Sequence, residues 1–65
     1  MKQNFEQIVS GMTMDEVEAI LGPPDKSHPT RFGDGKMTTW AYRADGELLF
    51  VWFNENGKVR VKSDN

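Results

Sequence analysis

The chain is 65 residues long with a formal net charge of −2, no cysteine, four Phe, two Trp and one Tyr. That length allows one domain, residues 1–65, which buries only about 60% of its unfolded surface and is marginal alone. Disulfides and thiolate metal sites are excluded, and the mixed charge gives no sign of duplex nucleic acid as a partner.

The N-terminal run MKQNFEQIVSG lacks the apolar core of a signal peptide or membrane span and has no cysteine to acylate. Phe5, Ile8 and Val9 fall at i, i+3 and i+4, which predicts a short first helix closed by Gly11. Thr13 reads as an N-cap. With Glu16 three positions on it forms a capping box, and Met12 and Val17 occupy the positions of a hydrophobic staple. Asp15 and Glu16 put negative charge in the first turn, where the helix dipole favours it. Val17, Ile20 and Leu21 give the inward stripe, Gly22 the stop, and Pro23 and Pro24 forbid continuation.

Residues 25–36, DKSHPTRFGDGK, are polar and rich in turn formers. They read as a loop, with room for a short strand near Phe32. From Met37 the period changes to two. MTTWAYR and LLFVWFN are strands joined at Asp45-Gly46, a hairpin signal; ENG is a turn, and KVRVK is a third strand. The expected fold is α+β: two short helices packed on one face of a three-stranded antiparallel meander.

A two-residue turn at Asp45-Gly46 sets the register, pairing Arg43 with Leu48 and Trp40 with Val51. Trp40, Tyr42, Leu49, Val51 and Phe53 then share a face, since directly opposed residues do. A two-residue turn at Asn56-Gly57 would pair Trp52 with Val61. A three-residue turn, with Gly57 left-handed, would pair Phe53 with Val59 and Val51 with Val61. The second is preferred because it gathers Val59 and Val61 onto the core face. Leu48, Phe50 and Trp52 are left on the opposite face, bordered by Arg43, Arg60 and Lys62. Such a strip is covered by the 25–36 loop or the termini, or it has a use.

The run IVSGMTMDEVEAILGPP, with WAY and VWFNENGKV downstream, resembles the SmpA/OmlA (BamE-like) family of small outer-membrane assembly lipoproteins. The same ααβββ unit is similar to the repeat of β-lactamase inhibitory protein. The resemblance runs from about Phe5 to Val61. It rests on Gly11, Met12, Thr13, Gly22 and Pro23, on Trp40 and Tyr42, and on Phe53 and Gly57. It implies the fold given above and a role in outer-membrane assembly or envelope integrity. The family's export signal and acylated cysteine are missing here. The expected location is the periplasmic face of the outer membrane if an upstream signal was removed, and the cytoplasm if the chain is complete.

No residue constellation reads as catalytic. His28 is the only histidine, placed in a polar loop with no second ligand. Ser10 has no evident base. Asp15, Glu16 and Glu18 lie along one helix and do not form an acid–base pair. Gly33-Asp34-Gly35 lacks the setting of a phosphate loop. The expected function is therefore a non-catalytic protein-binding or scaffolding module without cofactor or metal. Leu48, Phe50, Trp52, Arg43, Arg60 and Lys62 would meet a protein partner or a second copy. An inhibitor-like module that blocks a soluble enzyme is the alternative, and single-stranded nucleic acid on the sheet face is a lesser one.

Overall fold

A computed structural model describes residues 2–33 and 35–64. The chain runs through one helical turn, α1 (Lys2–Phe5), one helix, α2 (Met14–Leu21), and four strands: β1 (Lys26–Phe32), β2 (Gly35–Ala44), β3 (Glu47–Phe53) and β4 (Val59–Asp64). The strands form a single antiparallel sheet in the order β1-β2-β3-β4. The expectation of two helices on three strands is thus corrected. The molecule is mostly β, with one true helix and a fourth strand drawn from the segment read as a loop.

α2 forms as its sequence dictates. The Glu16 N–H donates to Thr13 Oγ1 at 3.1 Å, and the Thr13 N–H donates to Glu16 Oε1 at 2.8 Å. The capping box is complete. Val17 and Leu21 are buried, with Met12, Met14 and Ile20 packed beside them. Gly22 closes the helix at a φ of 84°, a region that favours glycine, and its N–H donates to the Glu18 carbonyl.

The N-terminal segment is not a second helix. After Phe5 it descends through tight turns, with Gln7 bonded back to Asn4, Ile8 to Phe5 and Met12 to Val9. These i to i+3 bonds tighten the winding, lengthen the rise per residue and break the 3.6 period. Phe5 and Ile8 are buried, but Val9 is 56% exposed. A stripe of three apolar residues was too short to enforce a helix by itself.

β1 pairs with β2 from Lys26↔Ala41 to Phe32↔Gly35. It is an edge strand, which is where Pro29 can be tolerated, since a proline has no N–H to give to a ladder. Residues 26–29 are all exposed, so this strand carries no hydrophobic alternation and reads locally as loop.

The β2–β3 register is Arg43↔Leu48, Trp40↔Val51 and Thr38↔Phe53, as the Asp45-Gly46 turn predicts. Both turn residues have positive φ, 53° and 79°, which suits the right-handed twist of the flanking strands. The second hairpin turns over Glu55, Asn56 and Gly57. The Asn54 side chain accepts from the N–H groups of Asn56 and Lys58, and Gly57 has a φ of 77°. Phe53 pairs with Val59, as expected. A bulge then shifts the register, so that Trp52 faces Val61 and Val51 faces Lys62. This corrects the placement of Val61 and Lys62, which exchange faces.

The core lies between the helical segment and one sheet face. Tyr42, Leu49, Val51, Phe53, Val17 and Ile8 are each at most 1% exposed. Trp40 meets Phe53 edge-on, with ring centroids 4.7 Å apart. The Tyr42 hydroxyl donates to the Gly22 carbonyl at 2.9 Å and so ties the end of α2 to the sheet.

Candidate binding face of the sheet

Alternation along the strands assigns the opposite face. By register it holds Lys26, His28 and Thr30 from β1, and Met37, Thr39, Ala41 and Arg43 from β2. β3 adds Leu48, Phe50 and Trp52, and β4 adds Val61 and Ser63. Arg60, the extra residue of the bulge, lies beside Trp52 and Val61. Of the six residues expected to form the strip and its basic border, five are therefore together: Leu48, Phe50 and Trp52 in the strip, Arg43 and Arg60 at its border.

Lys62 is not with them. Its Nζ donates to the Phe5 carbonyl at 2.8 Å and lies 5.1 Å from the centroid of the Phe5 ring, on the helical side. The extra bulge residue reverses the alternation beyond it. The cation then settles at the C-terminal end of α1, where the Phe5 carbonyl accepts both from Lys62 Nζ and from the Ile8 N–H.

Phe50 and Trp52 stack on each other with centroids 5.7 Å apart and planes 29° from parallel. Both are partly exposed. A hollow opens on either side of the pair. One, of about 350 Å³, is lined by Met37, Trp52, Arg60 and Val61. The other, of about 340 Å³, is lined by Leu48, Phe50 and Ala41 together with Asp25, Lys26 and Arg43, and His28 stands beside them. The Asp25 carboxylate accepts from the Arg43 backbone N–H at 2.7 Å and pins the start of β1 against β2. Thr30 and Thr39 share a hydroxyl–hydroxyl bond of 2.6 Å across the same strands. The segment 26–32 thus widens this face at its edge as a strand and does not fold over the aromatic pair.

No protein-family model, curated protein or solved structure matches this chain.

Sequence reasoning missed Lys26, His28 and Thr30 as members of this surface, because β1 was not expected, and did not place Met37, whereas the hairpin register puts Thr39 here opposite Trp52. The signal available was Gly33-Asp34-Gly35, a turn-forming run between two segments of near-equal length, which could have been read as a hairpin. His28 sits on a strand rather than in a loop, exposed and beside one hollow. Among the described residues no group of three His, Cys, Asp or Glu converges to hold a metal ion. No helix among them is long and apolar enough to cross a membrane. The capping box occupies the N–H groups of Thr13 and Glu16 at the start of α2.

Proposed function

We propose that the chain is a non-catalytic protein-binding module and that the open sheet face is its interface. One observation carries this reading: the Phe50–Trp52 stack is left partly exposed between two hollows, each with an arginine at its border. Aromatic residues and arginine are the types enriched at interface centres. On the helical side Phe5, Ile8, Val17 and Leu21 are buried in the core, which leaves Val9, among the described residues, as its exposed large apolar residue. The resemblance to SmpA/OmlA proteins supplies the setting, an envelope protein as partner, on the periplasmic face of the outer membrane.

The test is co-purification from membrane and soluble fractions, with Trp52→Glu as control. A membrane protein retained by the wild-type chain and lost with Trp52→Glu supports the assembly role. A soluble enzyme lost in the same way makes the chain an inhibitor-like module. Retention of one partner by both chains would sink the assignment of this face.

A further inference from the structure

Charge is distributed unevenly over the molecule. Asp and Glu outnumber Lys and Arg ten to eight in the chain, yet no strand position on the open face is acidic. The two strand carboxylates, Glu47 and Asp64, pair with Ala44 and Leu49 and belong to the helical side by register. Asp15, Glu16 and Glu18 lie on α2, behind the sheet. The open face instead carries Lys26, Arg43 and Arg60, all exposed. Asp25 lines the hollow at the Lys26 and Arg43 end, where its carboxylate accepts from the Arg43 backbone N–H, so three cations on this face stand against one carboxylate. A surface that is basic on an acidic protein selects its partner by charge.

Resting on the protein-binding reading above, we infer that this face takes an extended acidic segment of another protein. The hollows set its apolar anchors. They flank a ring pair on β3, between Leu48 and Trp52, and four strand residues span about 13 Å. An extended chain laid along β3 puts same-face side chains four residues apart at that distance. Each hollow is at the small end of the range for ligand sites, about 300–1,000 Å³, and suits one large side chain. Carboxylates between and beyond these anchors then meet Arg60 at one end and Arg43 with Lys26 at the other.

Two other occupants fit less well. A second copy docked face to face would set these cations against their own kind, a repulsive arrangement. Single-stranded nucleic acid needs a basic groove that tracks the backbone and free ring faces for the bases. Here Phe50 and Trp52 each give one ring face to the other, and β3 carries no cation between the two ends of the site.

The experiment is selection of a phage-displayed library of random linear peptides on the full chain, with Trp52→Glu and the Arg43→Glu/Arg60→Glu double variant alongside. All three positions are partly or fully exposed, and a thermal melt of each variant checks its fold. Peptides held by the wild type and lost with Trp52→Glu should be enriched in Asp and Glu, with apolar residues at i and i+4. The double variant should bind them about tenfold more weakly, or worse, which corresponds to about 1.4 kcal/mol. It should itself select basic peptides. Trp52-dependent peptides with no acidic bias would overturn the inference and leave the protein-binding reading standing. No Trp52-dependent peptide at all would overturn both. Oligothymidylate binding that Trp52→Glu abolishes, with a steep salt dependence, would assign the face to nucleic acid instead.

Discussion

Single side chains decide how this small core holds. Trp40 is 7% exposed and its ring is edge-on to Phe53 at 4.7 Å. Trp40→Ala should cost about 3–5 kcal/mol, read from urea unfolding, because neighbours on a sheet cannot collapse into so large a void. In a domain of this size that leaves much of the population unfolded. Tyr42 is the only tyrosine. Burial, with the nearby charges of Glu18 and Asp25, pushes its hydroxyl up to about 12. The unfolded chain gives up that proton near pH 10 and the folded chain keeps it to about pH 12. Between those values the unfolded state binds fewer protons, so stability falls as pH rises. Absorbance near 295 nm should show tyrosinate forming late, together with unfolding, and Tyr42→Phe should remove this part of the alkaline instability.

Among the elements, α2 and β4 illustrate opposite kinds of control. α2 is specified within its own sequence: the capping box at Thr13 and Glu16 satisfies N–H groups that an isolated helix would leave open. Thr13→Ala should therefore cost about 1 kcal/mol in thermal or urea unfolding. β4 is specified by what it meets. The Val59 carbonyl accepts from the Gly11 N–H at 2.8 Å, and the Val59 N–H donates to the Met12 carbonyl at 2.7 Å. Those bonds fix Val59 over the core, 3% exposed, and the bulge that follows turns Val61 out to 50% exposed. A pair of substitutions separates this register from a regular one. Val59→Thr should destabilise by about 1–3 kcal/mol, by burying a hydroxyl without a partner. Val61→Thr should stay within about 0.5 kcal/mol, as surface changes do. Equal losses at both sites would mean that Val61 also faces the core and that the bulge is absent.

For the whole molecule, the sheet separates two tasks. One face is consumed by the core that holds the chain together, and the other keeps a partly exposed aromatic pair among cations. Trp52→Glu should then abolish partner capture while leaving the fold nearly intact. In a domain of this size a shift of about 4–8 °C in melting temperature corresponds to about 1 kcal/mol, and the variant should move by less than that. A variant that unfolds would place Trp52 in the core. Molar mass by light scattering over a concentration series should report a monomer, since self-pairing through this face is opposed by Arg43, Arg60 and Lys26. A persistent dimer that Trp52→Glu dissolves would make a second copy the occupant.

What residues 13–22 and 38–53 do was legible in the sequence, because their signals are local. A capping box closes within four residues, and a two-residue turn at Asp45-Gly46 fixes every pair of the hairpin it joins, through Thr38↔Phe53. Gly57 in a left-handed turn was legible for the same reason. The aromatic pair on the face away from the core followed from that register alone. The fourth strand, the loss of the first helix and the bulge were not legible. β1 is polar at almost every position and gains its strand conformation from the ladder that β2 offers. The N-terminal turns take the shape that burying Phe5 and Ile8 beside α2 requires. The start of β4 is fixed by bonds from Val59 to residues 47 to 49 positions away in sequence: the Ser10 hydroxyl, the Gly11 N–H and the Met12 carbonyl. Pairing energy of that kind belongs to two segments at once, so neither segment's sequence records it. The tertiary structure therefore decided which valine is core, which lysine is not part of the open face, and how wide that face is.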